Sequence, residues 1–262
     1  MKTLKKLTIE IFQPGEFARR VISRSRSRPT FKVPGDKRRE MHPAESPLEV
    51  DAIALLDSDP TVTTFQMQPA IISMEFDDDG KLETQKHYPD SLVTRRNDKG
   101  FIEVKSQAEA VAPDVVGRTA IMKEELPHHG YWYDVWTETE IRVPKARLDN
   151  AKFLLRYGRN QVVSELDREH IRRAFAKSTD ISWGDAMRGT LGPKGPYQVC
   201  RLILDGILEI DRSAPISVDT VIRWRAAEFE PPSAGDSPTC PQNTPNGSTG
   251  INLSARSRDS FP

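Results

Sequence analysis

The residues best suited to do chemistry are Asp90, Glu103 and Lys105, carried by Tyr88-Pro89-Asp90 and Phe101-Ile102-Glu103-Val104-Lys105. Residues two apart in a strand share a face, so Glu103 and Lys105 point one way while Ile102 and Val104 face the core. Tyr88–Arg95 and Phe101–Lys105 read as two strands joined through Asn97-Asp98-Lys99-Gly100. Any hairpin register whose paired residue numbers sum to an odd value puts Asp90 on the face of Glu103 and Lys105. Two carboxylates on neighbouring strands suit a hard cation such as Mg²⁺. Such an ion acidifies a bound water and neutralises charge on a phosphate, and a lysine beside it balances transition-state charge. That is the apparatus of metal-dependent phosphodiester hydrolysis. The same spacing also fits an exposed strand face with an ordinary lysine–carboxylate pair.

Glu49 is a further acid with two readings. Ser46-Pro47-Leu48-Glu49 starts a helix: Ser as N-cap, Pro in the first turn and Glu three residues after the cap, a capping box. The helix runs to about Asp57, with Leu48, Ala52, Leu55 and Leu56 on one face, and Asp59-Pro60 ends it. On that helix Glu49 shares a stripe with Ile53 and Leu56, at the margin of the inward face, within reach of the two-strand site.

The elements that must position these residues follow in order. Val62–Phe65 and Ala70–Phe76 read as strands, followed by the turn-forming Asp77-Asp78-Asp79-Gly80, which lacks the spacing of a calcium loop. Asp114–Leu126 is a helix, Tyr131–Thr137 an aromatic inner strand and Leu148–Tyr157 a helix. This order predicts an α/β domain over residues 44–150, after a basic and mostly loop-like arm at 1–43. Residues 151–229 read as a mostly helical module: Tyr197–Leu208 is a helix, and short strands at Leu208–Asp211 and Ile216–Val221 suggest a winged helix. Residues 230–262, rich in Pro, Ser, Gly, Thr and Asn, read as a disordered tail.

These motifs resemble, in order, the TnsA-like transposon endonucleases of the PD-(D/E)xK group. The likeness rests on Ser46-Pro47-Leu48-Glu49-Val50, Asp59-Pro60-x-Val62, Gln68-Pro69, Tyr88-Pro89-Asp90-x-Leu92-Val93 and Glu103-Val104-Lys105. Thr137-Glu138-Thr139-Glu140-Ile141-Arg142 and Asn150-Ala151-Lys152 extend it, so that it spans roughly residues 44–157. The resemblance implies a restriction-endonuclease-like core and catalytic roles for Glu49, Asp90, Glu103 and Lys105. It implies Mg²⁺, with Mn²⁺ as substitute, held by Asp90, Glu103 and the Val104 carbonyl; whether Glu49 joins them or only caps its helix is open. It further implies nicking of transposon 5′ ends beside a partner transposase and an ATPase regulator. Ser91 departs from the family, where a large apolar residue is expected. A stand-alone restriction or repair nuclease would share this site, and a non-catalytic DNA-binding or assembly module would keep the fold.

Charge distribution agrees with a DNA partner although the chain of 262 residues is neutral overall. Residues 1–45 hold twelve Lys and Arg against five Asp and Glu; residues 46–90 hold two against ten. The basic segment suits a phosphate backbone and the acidic one a cation. No apolar run reaches about 18 residues, and no apolar stretch follows the first lysines, so neither a membrane span nor a secretory signal is expected. Two cysteines, Cys200 and Cys240, make no disulfide framework or zinc site, and a reducing cytoplasm is the expected compartment. His128-His129 reads as loop, His87 receives no role, Cys200 reads as core, and Arg223 and Arg225 flank Trp224 as DNA or partner contacts or as a solvated edge.

Overall fold

The structure, a computed structural model, describes residues 2–13, 15–16, 18, 30–178 and 180–225. The predicted tail at 230–262 and the arginine-rich stretch at 19–29 lie outside the described residues.

The chain opens with strands β1 (Thr3–Ile11), β2 (Phe31–Pro34) and β3 (Met41–Ala44). The loop-like reading of this region is therefore corrected. In β1 the two-residue period is hidden by a bulge between Leu4 and Lys6, which spaces Leu4 and Leu7 three apart. Helix α1 (Pro47–Ser58) follows, N-capped by Ser46. Leu48, Ala52, Leu55 and Leu56 are buried as expected, but so are Ile53 and Ala54, because α1 is covered on both sides.

Then come β4 (Val62–Met67), β5 (Ala70–Asp78), β6 (Lys81–His87), β7 (Ser91–Arg95) and β8 (Lys99–Val104). The Asp77–Gly80 turn joins β5 to β6, with Gly80 at φ +86° and its N–H donating to Asp77 Oδ1 at 2.7 Å. Strand β6 has no apolar alternation to announce it: Leu82 is its one aliphatic side chain, and it is exposed. The strand expected from Tyr88 begins at Ser91, because Pro89 has no N–H to pair. Helices α2 (Gln107–Ala110) and α3 (Pro113–Glu125) and a 3₁₀ turn at Leu126–His129 lead to β9 (Trp132–Trp136).

The central sheet has the order β4-β7-β8-β9, with β8 and β9 parallel and the other pairs antiparallel. Strand β9 is thus an edge strand, not the inner one expected, and Trp132 and Trp136 are only partly buried. One face of this sheet, through Val93, Ile102 and Val104, packs on α1. The other, through Phe101 and Tyr133, packs on Met122 and Leu126 and on Ile72, Met74 and Phe76 of the β1-β5-β6 sheet. Ser91 is buried opposite Ile102, so the small side chain leaves the strand pairing intact.

The remainder is α4 (Glu138–Arg142), α5 (Lys145–Gly158), α6 (Glu165–Lys177), β10 (Ile181–Ser182), α7 (Trp183–Met187), α8 (Gly195–Leu204), β11 (Leu208–Glu209) and β12 (Val221–Trp224). Strand β12 starts later than expected because Ser217–Thr220 close a turn, with Thr220 N–H donating to Ser217 O at 3.1 Å. The core on the α1 side runs without a break from Ala44 to Ile222, and residue 150 lies inside α5. Among the described residues the architecture is mixed α/β, with eight α-helices and several sheets, and no helix is long and apolar enough to cross a membrane.

Candidate active site

The β7–β8 register pairs Ser91 with Ile102, so Asp90 stands opposite Glu103. Two backbone contacts hold Asp90 there: its carbonyl accepts from Gln68 N–H at 2.8 Å, and its Oδ2 accepts from Val104 N–H at 2.7 Å. Gln68 adopts φ +49°, a left-handed backbone that a non-glycine residue takes only where its surroundings enforce it. Lys105 is fixed to the next strand, its N–H donating to Trp136 O at 3.0 Å.

Glu103 is 3% exposed. Its Oε1 meets Lys105 Nζ at 2.7 Å, while its Oε2, 3.5 Å from His87 Nε2, has no hydrogen-bond partner among the described residues. The reading of an exposed strand face is thereby excluded for this pair. His87, given no role from the sequence, is buried beside Glu103 with its Nε2 3.2 Å from the Tyr133 hydroxyl. Arg118 of α3 lines the same cleft of about 680 Å³, as do Gln68 and Glu49. Glu49 turns its carboxylate toward its own helix start: Oε2 accepts from Glu45 N–H at 3.0 Å and Oε1 from the Ser46 hydroxyl at 2.9 Å.

The electrostatics follow from burial. Burial and the neighbouring charge of Glu103 hold the Asp90 carboxyl well above the usual range, against the pull of Lys105. Burial likewise raises Glu103, and Lys105 opposes it. Burial works to lower Lys105, but the attraction of Glu103 and Asp90 prevails and raises it. Burial, with the fields of Arg118 and Lys105, pushes His87 down to about 3, so it is a neutral imidazole. Burial and the Glu103 charge raise the Tyr133 phenol.

No group of three His, Cys, Asp or Glu side chains suited to a metal occurs among the described residues, and His128 and His129 are exposed. The site offers a pair instead. A buried carboxylate oxygen with no donor, beside a second carboxylate whose ionisation is suppressed, is a donor set that a hard divalent cation fits.

Of the residues expected from the sequence, Asp90, Glu103 and Lys105 are brought together, and Glu49 reaches the wall of the same cleft. His87, next to Tyr88, was placed near the site without a role; Tyr133 behind it, Arg118 and the Gln68 side chain were not anticipated. Gln68 alone carried a signal, as part of the Gln68-Pro69 motif.

Residues 59–184 match the family model described as TnsA-like endonuclease N terminal. Over this stretch the chain resembles the TnsA-like endonucleases, which supports a nuclease related to transposition. The match starts after Glu49 and runs on into α7, later at both ends than the span 44–157 read from the motifs. A search of curated proteins gave no match.

Proposed function

We propose that the protein is a metal-dependent DNA endonuclease that hydrolyses phosphodiester bonds at transposon ends, nicking the 5′ strand beside a partner transposase and an ATPase regulator. The observation that carries this is the buried Asp90–Glu103 pair with its orphaned Glu103 oxygen, next to Lys105, inside a TnsA-like endonuclease domain. Asp90, Glu103 and the Val104 carbonyl would hold Mg²⁺ or Mn²⁺, with Glu49 as a further acid at the cleft wall. The chemistry such an ion supplies when bound is charge neutralisation on the phosphate and a more acidic water. Lys105 keeps its proton and balances negative charge growing on the phosphate. His87 Nε2 lies 3.5 Å from the Glu103 oxygen that has no donor and 3.2 Å from the Tyr133 hydroxyl, and as a neutral imidazole it adds no counter-charge there. The finer fold belongs to the same proposal: a restriction-endonuclease-like core and a winged-helix-like C-terminal module. The order α6-β10-α7-α8-β11-β12, with β10 paired to β12, supports the second.

The test is cleavage of duplex DNA in Mg²⁺ by wild type and Asp90→Ala, each with and without the cognate transposase. We expect slow cutting by the wild-type chain alone, faster cutting with the transposase and none by D90A. Wild-type rates from D90A would refute the site. Rapid cutting by the chain alone would favour a stand-alone nuclease, and DNA binding without cutting an assembly module.

A further inference from the structure

Arg118 sits on the inward side of α3. Val115 and Met122, three residues before it and four after it, share its face of the helix, and both are buried. A cation placed between two core residues needs a reason. Holding the helix is not one, because Met122 and Leu126 already pack α3 and the turn after it with Phe101 and Tyr133. From that face the half-buried Arg118 lines the candidate active-site cleft of about 680 Å³.

The other cations of the cleft are accounted for. Lys105 Nζ meets Glu103 Oε1 at 2.7 Å, Arg142 Nη2 meets Asp51 Oδ2 at 2.8 Å, and Lys86 is exposed to water. Arg118 is within ion-pair distance of no carboxylate among the described residues. One of its donors reaches the Tyr133 hydroxyl, while its Nε–H, withdrawn from water, has no acceptor. A buried donor left without an acceptor is costly, the more so on a charged group. The same cleft holds the opposite orphan, Glu103 Oε2, a buried acceptor without a donor. The two could satisfy each other and do not: the ion-pair partners of Glu103 are Lys105 and His87. A donor short of an anion and an acceptor short of a cation, held apart in one cleft, are what an anion and its counter-cation would fill together.

We propose that Arg118 binds the phosphate that enters this cleft, its Nε–H donating to a non-bridging oxygen. Phosphate fits better than a carboxylate. A tetrahedral anion offers oxygens in several directions, so it can meet Arg118 from α3 and a cation on Glu103 from β8 at once, whereas a planar carboxylate spends both oxygens on one guanidinium fork. Donation to an oxygen on which charge grows stabilises the transition state more than the ground state. The phosphate comes either from the DNA backbone or from a free phosphate. The backbone source rests on the nuclease reading; the contact itself does not.

The test uses the full chain as wild type, Arg118→Gln and Arg118→Lys. Melting temperatures and calorimetry of Mg²⁺ binding without anion first establish that the fold and the carboxylate pair are intact; neither should fall. Inorganic phosphate binding in Mg²⁺ is then measured at fixed ionic strength. Affinity should fall about tenfold or more in R118Q, the effect of losing a charge-assisted hydrogen bond. R118K keeps the charge but has no Nε–H and should stay below wild type; should R118Q melt early, R118K carries the same comparison. The salt dependence of duplex binding identifies the source. Each DNA phosphate that the protein no longer neutralises lowers the log–log slope by about 0.9. A lower slope in R118Q assigns the contact to DNA phosphate, and kcat/KM for cleavage should then fall about a hundredfold. An unchanged slope with weakened phosphate binding assigns it to free phosphate. No phosphate binding by wild type, or equal binding by R118Q, overturns the proposal. Loss of Mg²⁺ binding together with phosphate binding also overturns it, by making Arg118 a support of the carboxylate pair, and R118K equal to wild type overturns the Nε–H contact. No cleavage by wild type, with phosphate binding that depends on Arg118, would sink the nuclease reading and leave this one standing.

Discussion

Glu103 holds a carboxylate oxygen away from water with no donor on it, beside the buried carboxylate of Asp90. Without a cation, two like charges held together cost stability. Asp90→Asn keeps the acceptor for Val104 N–H and removes one charge. The variant should melt a few degrees higher than wild type in EDTA, the effect of about 1 kcal/mol in a chain of this size. It should also lose the stabilisation that Mg²⁺ gives wild type. Differential scanning fluorimetry with and without Mg²⁺ checks both, and a D90N chain that melts lower in EDTA and still responds to Mg²⁺ would contradict the charge argument. Glu49 asks a different question, because both its oxygens already serve the start of α1. Gln can keep one of those hydrogen bonds, so Glu49→Gln should cost at most about 1 kcal/mol of stability. If it is also the third acid of the site, most cleavage is lost beyond what that cost explains; full activity would leave it a cap alone. The Asp90, Glu103 and Lys105 placement was legible because strand parity depends on sequence spacing. Arg118 and the part played by His87 were not, since they enter from α3 and β6, elements whose approach to β8 is decided by packing on Phe101 and Tyr133.

At the scale of elements, the site depends on the joins between strands. Gly100 sits where β8 meets β9, and a Cβ there would overlap both the Trp132 ring and the Trp132 carbonyl oxygen. Gly100→Ala should therefore lose about 1–3 kcal/mol, as overpacking does. Trimming the ring with Trp132→Leu should not restore it, because the backbone clash remains; chemical denaturation of the single and double variants checks this, and full rescue would show that the ring alone matters. The β2–β3 pair supplies a pH-dependent contribution. His42 is 2% exposed, stacks on Phe65 at 4.4 Å and is faced by Arg38, Glu40, Asp57 and Arg159. Burial lowers its pKa in the folded chain, against about 6.5 unfolded. The unfolded chain then binds more protons as pH falls below that value, so stability declines from pH 7 to pH 5. The melting temperature of His42→Gln should fall less steeply over that range, with His87 left to account for the remainder; identical slopes would remove His42 from the account. Hairpin tips, the Ser46 N-cap and the α3, α5 and α8 helices were legible because their signals are local. The edge strands β1 and β6 were not, because a bulge in one and exposure of the other erase the alternation that marks a half-buried strand.

Across the described residues, the core on the α1 side runs through the division expected at residue 150 without a break. Helix α5 packs on α1 with one face and on α8 with another, and Gly158 allows the second approach: a Cβ there would stand 2.8 Å from the Cys200 carbonyl carbon. Polar ties cross the same boundary. Arg201 Nη1 donates to both oxygens of Asp36 at 2.9 and 2.8 Å, and Asn150 Nδ2 donates to Arg212 O at 3.1 Å and Ala214 O at 2.7 Å. Val199, Leu202, Ile203 and Leu204 of α8 are all buried. Exposing four such side chains forfeits roughly 6–12 kcal/mol, comparable with the roughly 5–15 kcal/mol that holds a whole domain folded. A chain ending at Arg159 should therefore show no cooperative melting transition and should aggregate, although it retains Glu49, Asp90, Glu103 and Lys105. A chain ending at Phe229 should melt in one transition within a few degrees of the full length and keep its cleavage, because the sequence beyond it has few apolar residues to bury. Calorimetry on both truncations decides the matter. A stable, cooperatively folded 1–159 would mean that the nuclease elements stand alone and that the C-terminal elements are a separable module.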